Sequence, residues 1–466
     1  MIKLIAIANK GKLYFFCSLA VFIVSYVLHL NLIIPAFLVS LYAYARARRL
    51  DFKKYNLLNL IFLFLIIFDA GYFIVNRNFP IFYIPFCAIP MLTTLLFNNL
   101  EISLLMTLAA SVSIASLSSS RFDLTLLFLI SGTISSILVK DARKRTTIIL
   151  AGFIVGIVQV VSLIFIEYFW LGLPDRYLTL FMNAIISSIV VLGGLPVFEY
   201  LFRTLTNISL LELADFNHPL LQRMVLEAPG TYHHSLLVGN LCESACRQIG
   251  ANALLARVGA YYHDIGKLSK PEYFGENLTA SGASKHDALS PEMSKLVIMN
   301  HVKEGVEIAK KYKLNPTLID FILQHHGTSL AYYFYHRALQ NIDTEKEVKE
   351  EGFRYPGPKP NTKETAIVLL ADSVEAASRA LKDPTPAKIK ETANKVINNK
   401  FIEGQLDECE LTLKDLEKIS AVFIRILGGI YHSRITYPEQ AKGENNHKKF
   451  SEEGSRQSEK DKTSNS

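Results

Sequence analysis

The sequence predicts an all-α protein in two unlike halves: a polytopic membrane domain over residues 1–205, then a helical, water-soluble domain over 206–440. Three observations carry this. Half of the 466 residues are apolar, and they are concentrated before about residue 205 in runs separated by short polar breaks. Several of those runs approach the roughly 20 apolar residues that a bilayer-spanning helix needs. After them the apolar residues recur at helical spacing, with no alternating strand pattern of convincing length in competition. The last segment, 441–466, with "KGENNHKKFSEEGSRQSEKDKTSNS", has almost nothing to bury and is expected to be disordered.

In order along the chain, candidate spans lie near 13–29, 31–46, 57–75, 80–98, 100–118, 122–140, 147–169 and 178–202. The first two are the hardest to divide. "LYFFCSLAVFIVSYVLHLNLIIPAFLVSLYAYA" reads either as one long tilted helix or as a hairpin turning near His29-Leu30-Asn31. The basic stretches "RARRLDFKK" and "KDARKR" belong on the cytoplasmic side by the positive-inside rule. A hairpin adds Lys3, Lys10 and Lys12 to that side and gives eight spans; a single helix gives seven. Either way the segment after residue 205 faces the cytoplasm. The run at 13–29 lacks a small-residue cleavage site and is not read as a cleaved signal peptide.

Charge excludes less than it first suggests. The net charge of +7 comes largely from Lys and Arg beside apolar segments, where membrane topology uses them, so no nucleic acid polymer is expected as a partner. Asp69 and Glu167 lie in or near spans, where a carboxylate is a functional candidate. Two scattered carboxylates make no transport pathway, and no paired broken spans mark a transporter site. The five cysteines form no CxxC; Cys242 and Cys246, one helical turn apart, read as packing.

In the second half, "HPLLQRMVLEAPG" (218–230) has helical spacing and ends in Pro-Gly. "SLLVGNLCESACRQIG" (235–250) continues the pattern, with Gly250 as its stop. "NALLARVGAYYHDIGK" carries His263 and Asp264 near the end of a further helix. "PEMSKLVIMNHVKEGVEIAKKY" (291–312), "PTLIDFILQHHG" (316–327) and "TKETAIVLLADSVEAASRAL" (362–381) are three more.

A lone histidine on an apolar face is usually a satisfied core residue. Here nearly every helix carries one: His233, His234, His263, His286, His301, His325 and His326, with Asp264 and Asp372 beside apolar neighbours. Packed together, these helices would aim imidazoles and carboxylates at one centre, a donor set that suits Fe, Mn or Zn. Seven protein ligands are too many for one metal with an open position, but they suffice for two metals sharing a carboxylate. Lys267, one turn after Asp264, is placed to neutralise phosphate charge. The residues alone thus indicate a dinuclear metal phosphohydrolase.

The phrases "EAPGTYHHSLLVGNL", "LLARVGAYYHDIGKLSKPEYF", "QHHGTSLAYYFYH", "YPGPKPNTKETAIVLLADSVEAASRAL", "GQLDECELTLKDLEKI" and "GIYHSRITYP" resemble the seven-transmembrane HD-domain family of bacterial cyclic-di-AMP phosphodiesterases. The resemblance covers most of 206–438 and agrees with the membrane half in the number and position of spans. It implies a multi-pass protein of the bacterial plasma membrane whose HD domain lies in the cytoplasm and cleaves cyclic-di-AMP to pApA. By position, His234, His263, Asp264 and Asp372 would bind one metal, and Asp264 would bridge to a second held by His301, His325 and His326. Two divalent ions, iron or manganese, are implied, with a metal-bound water as nucleophile and Asp264 and Lys267 as the catalytic pair. His233 reads as supporting or packing, His286 as part of a loop near the substrate entrance, and His336 and His432 have no ligand position. Besides a cyclic dinucleotide and the lipid bilayer, a homodimer partner is left open.

One departure stands out. Members of that family carry a large extracytoplasmic domain between the first span and the rest, whereas here the first apolar run passes almost directly into the second. This departure puts extracellular ligand sensing in doubt and leaves the membrane half as an anchor or as a sensor within the bilayer, with 206–222 as the link from membrane to catalyst. The alternatives are a catalytically silent nucleotide-binding receptor and an HD hydrolase acting on another nucleotide such as cyclic-di-GMP. The continuation "HHGTSLAYYF" argues against the cyclic-di-GMP branch.

Overall fold

The structure, a computed structural model, describes residues 54–117, 122–167, 174–278, 285–340 and 348–432. The expected spans at 13–29 and 31–46, the lysines before them and the tail lie outside the described residues. Among the described residues every regular element is helical; the single β contact is an isolated bridge between Leu330 and Arg354. The all-α reading holds.

The membrane half comprises α1 (Lys54–Asn76), α2 (Ala88–Phe97), α3 (Leu100–Ser116), α4 (Phe122–Val139), α5 (Arg145–Ile166) and α6 (Pro174–Phe202). Four of these, α1 and α4 to α6, contain stretches long and apolar enough to cross a membrane. Their outward residues, among them Phe62, Phe73, Phe153 and Ile189, are exposed and apolar, as a lipid-facing surface requires.

The segment expected as one span over 80–98 differs. It is a 3-10 turn, Ile81–Tyr83, followed by the ten-residue α2. Pro80 and Pro85 explain the break, because each lacks an N–H and clashes with the preceding helical turn. At about 1.5 Å per residue α2 spans only half a bilayer core, and it is buried from Ala88 to Leu96 within the other helices. The non-helical backbone is satisfied from inside: Asn183 Nδ2 on α6 donates to the carbonyls of Phe82 and Ile84 at 2.8 and 2.7 Å. Asp69 is exposed, and Glu167 accepts from Tyr177 Oη at 3.1 Å near Arg176. Neither lies near the histidines.

A short connector, α7 (Asn207–Leu213), is capped by Thr206, which accepts from Ser209 N. Ile208 packs into the membrane-half core and Leu210 into the soluble core, so one turn of helix belongs to both.

The soluble half follows: α8 (Pro219–Glu227), α9 (Pro229–Ile249), α10 (Ala253–Tyr262), α11 (Pro291–Lys311), α12 (Pro316–Gln324), α13 (Tyr332–Gln340), α14 (Lys363–Arg379), α15 (Pro386–Ile402) and α16 (Leu413–His432). Starts are written in the sequence: Ser290, Asn315 and Thr385 each cap the helix behind them, with Pro in its first turn. Gly250 closes α9 at φ +73°, as expected. Pro229-Gly230, expected to end a helix, instead begins α9: α8 stops at Glu227, and Pro229 occupies the first turn, where its missing N–H costs nothing. At the centre lies α14, buried from Thr365 to Asp372 and packed on α9, α10, α12, α15 and α16.

Candidate metal centre

The end of α10 sets the geometry. His263 caps that helix, and Asp264 opens a 3-10 turn over Ile265–Ser269, so adjacent residues present imidazole and carboxylate to one point. The turn is pinned by Gly266, where a Cβ would meet the His301 carbonyl oxygen at 1.8 Å and Gly305 N at 2.5 Å. Only glycine allows α11 to come that close. His234 comes from α9, His301 from α11, His325 and His326 from the end of α12, and Asp372 from the middle of α14.

Two four-residue groups form, and Asp264 belongs to both. In the first, His234, His263, Asp264 and Asp372 place their donor atoms within 4.8 Å of one another. His234 Nε2 is 3.1 Å from Asp372 Oδ1, and His263 Nε2 is 3.2 Å from Asp264 Oδ2. In the second, Asp264, His301, His325 and His326 do the same. Asp264 Oδ1 is 3.4 and 3.5 Å from the Nε2 atoms of His301 and His325. One carboxylate thus turns one oxygen to each group.

Ring orientation is fixed from behind. His263 and His325 donate Nδ1–H to the carbonyls of Ala260 and Ile322 at 2.7 and 2.9 Å, and His301 donates to Ile298. Each of these rings therefore aims a bare Nε2 inward.

The electrostatics match that arrangement. Burial alone would push the Asp264 carboxyl up, yet the charges of His263 and Lys267 hold it well below the usual carboxylate range. Asp372 is buried too, which alone would push it up, but His234 beside it and the imidazole charges bring it down. Burial lowers His301 to about 4, against the pull of Asp264. Burial and the neighbouring His325 likewise hold His326 down. His234 goes the other way, to about 9, where Asp372 and Glu375 outweigh its burial.

His234 Nε2, His263 Nε2 and Asp264 Oδ1 are buried without a hydrogen-bond partner. An unsatisfied buried polar atom costs about 1–3 kcal/mol, so such a cluster calls for an occupant. Neutral imidazoles and ionised carboxylates are the ligands that a divalent ion of the iron, manganese or zinc type takes. The residues fit a metal pair.

Lys267 ion-pairs with Asp264 Oδ2 and with Glu276 Oε1, both at 2.7 Å. Burial would lower the Lys267 ammonium, but Asp264 and Glu276 raise it. Three further histidines that the sequence singles out, His233, His286 and His336, belong to neither donor group. His286 is buried but bonds through Nε2 to the Tyr273 carbonyl at 2.8 Å, and the His336 ring lies tilted against that of Tyr332 at 4.3 Å. His233 lines a groove of about 520 Å³ with Glu276, Glu375 and Arg379.

Sequence reasoning missed three residues at the centre. Glu375 accepts from His234 Nδ1 at 2.7 Å, Glu276 holds Lys267, and the Tyr355 ring lies 4.2 Å from that of His326. The spacing of Glu375, three residues after Asp372, was the signal available for the first: on a helix that places both on one face.

Cys242 and Cys246 are buried in the soluble core, and burial pushes both thiols up, which fits packing.

Residues 15–206 match a family model described as a 7TM receptor with intracellular HD hydrolase, and residues 231–377 match an HD domain. Among known proteins, the chain is 40% identical over 397 residues to cyclic-di-AMP phosphodiesterase PgpH of Listeria monocytogenes serotype 1/2a (strain 10403S), covering 84% of this chain and 54% of that protein. It is 44% identical over 321 residues to cyclic-di-AMP phosphodiesterase PgpH of Bacillus subtilis (strain 168), covering 68% and 45%. The crystal structure of the L. monocytogenes PgpH HD domain in complex with cyclic-di-AMP is 49% identical, with 47% of this chain and 100% of that chain covered and a TM-score of 0.44. The chain spans about half the length of the curated relatives it matches.

Proposed function

Since this chain belongs to the seven-transmembrane receptors with an intracellular HD hydrolase, we propose that it is a membrane-anchored, metal-dependent phosphodiesterase that hydrolyses cyclic-di-AMP to pApA. One observation carries the reading: two four-residue donor groups share a single buried carboxylate, Asp264. The names of the relatives supply the substrate.

In this reading His234, His263, Asp264 and Asp372 hold one divalent ion and His301, His325, His326 and Asp264 the other, with iron or manganese as the resident metals. Such a pair supplies Lewis acidity toward phosphate oxygens and makes water a stronger nucleophile near neutral pH. The protein's share is placement and charge. Asp264 orients both halves of the centre, and Lys267, beside it, offers positive charge to the phosphate that enters. His301 at about 4 is neutral at pH 7 and ready as a ligand. Binding at His234, at about 9 without metal, releases a proton.

The division of labour follows: residues 1–205 anchor the chain and 206–440 hydrolyse. The basic loop after α4, Lys140 to Arg145, supports a cytoplasmic position for α7 and the hydrolase. The remaining partner is the lipid bilayer, which the four long apolar helices suit.

The test is product analysis. Full-length protein in detergent, loaded with Mn(II) or Fe(II), is given cyclic-di-AMP and cyclic-di-GMP in parallel. Preferential conversion of cyclic-di-AMP to pApA is the expected result. Tight binding with no turnover in either metal overturns it in favour of a silent receptor.

A further inference from the structure

Three of the inward-facing histidines are supported alike. His263, His301 and His325 each donate Nδ1–H to the backbone carbonyl three residues earlier, a neutral partner supplied by their own helix. His234 is not. Its Nδ1 faces Glu375 Oε2 at 2.7 Å, a carboxylate reached across the core from α14, and both side chains are almost fully buried.

Glu375 belongs to neither donor group. It stands behind the His234 ring, one turn along α14 from Asp372, so one helix face provides a donor for the first group and the support for its neighbour. A further turn on, Arg379 lies 3.4 Å from the same Glu375 oxygen and lines the groove beside His233. A carboxylate at Nδ1 keeps the proton there, so that a metal ion would displace the Nε2 proton alone, and it makes the ring a stronger donor. In the second group the partners of His301 and His325 are amide carbonyls, and the carboxylate facing His326 Nδ1, that of Asp372, lies 3.6 Å away, beyond hydrogen-bond distance.

We infer that Glu375 is a positioning residue that fixes the tautomer and orientation of His234 and thereby makes the first metal position the tighter of two unequal ones. This rests on the metal-binding reading proposed above. Loss of such a support costs about 10–100-fold in metal affinity, and the loss is confined to the position that contains His234. A residue that serves packing alone would instead weaken both positions together through the fold.

The test is a Mn(II) titration of metal-stripped, full-length protein in detergent, with free Mn(II) read by electron paramagnetic resonance. The wild type is expected to bind two ions per chain in a tighter and a weaker class. In Glu375→Ala the tighter class weakens by about 10–100-fold while the other stays in place. Glu375→Gln, which keeps the volume but not the charge, falls between, and Glu375→Asp recovers part of the loss. Two unchanged classes in both Glu375→Ala and Glu375→Gln overturn the inference and leave the metal reading standing. Equal weakening of both classes, with a lower melting temperature of the metal-free protein, overturns it in favour of packing. A wild type that binds no Mn(II) overturns the metal reading and the inference with it.

Discussion

Asp264 concentrates the chemistry of this molecule in one side chain. Both of its oxygens are buried, each faces a different set of imidazoles, and Lys267 sits against it. Asp264→Asn preserves shape and removes the charge, so it is expected to abolish both Mn(II) binding and hydrolysis; two retained Mn(II) ions would refute the shared-carboxylate arrangement. Lys267→Met acts differently, because it strands the carboxylates of Asp264 and Glu276 without a cation. Breaking a buried pair in this way costs about 3–5 kcal/mol, to be read as a lower denaturant midpoint of the metal-free protein. Outside the centre, His218 gives a pH signature. Its Nδ1 accepts from Leu220 N at the start of α8, and burial lowers its pKa, against the pull of Asp215. A folded value below the unfolded one means that the unfolded chain takes up the proton more readily. The stability this group contributes is therefore present above about pH 6.5 and is lost as pH falls through the folded value. His218→Asn, which keeps a capping oxygen, is expected to flatten thermal stability over that range relative to wild type.

The elements that carry the site were the most legible part of the sequence. Helical spacing of apolar residues, with a His or Asp beside them, marked α9 to α12 and α14, and Gly250 marked a helix end, because these signals are local. Two misreadings have local causes too. Apolar composition hid the break at Pro80 and Pro85, since a span judged by hydropathy does not register missing N–H groups. Pro229 looked like a stop and proved to be a start, an ambiguity inherent in a proline that suits the first turn of the next helix. What sequence could not give was partnership across the fold: Glu375 and His234 are 141 residues apart. Lys267 and Glu276 meet only because the 3-10 turn folds back. Gly266→Ala tests the packing of that turn. Its Cβ would collide with backbone rather than with a flexible side chain, so α11 must move away and carry His301 with it. Loss of one Mn(II) position together with a lower melting temperature is the expected outcome.

At the scale of the whole molecule, the two halves meet through little. Ile208 and Leu210 divide α7 between two cores, Arg145 pairs with Glu212 at 2.6 Å in an exposed position, and Asn315 Nδ2 donates to the Thr204 carbonyl at 3.3 Å. Tyr262 Oη reaches the Leu213 carbonyl at 2.7 Å, one residue before His263 in the chain. The exposed ion pair contributes at most about 1 kcal/mol, so the connector's hold depends on its apolar turn. A topology that puts the α4–α5 loop and the hydrolase on one side has a direct check. Single cysteines at Lys144 and at Lys382 are expected to react with an impermeant maleimide from the same face of sealed vesicles; labelling from opposite faces would refute it.

Two metals held by seven side chains, with Asp264 between them, are the core of the proposed chemistry. The most direct measurement is an anomalous difference map from crystals of the Mn(II)-loaded protein. Two peaks about 3.5–4 Å apart are expected, one among His234, His263, Asp264 and Asp372, the other among Asp264, His301, His325 and His326. A single peak, or a pair that Asp264 does not touch, would contradict it.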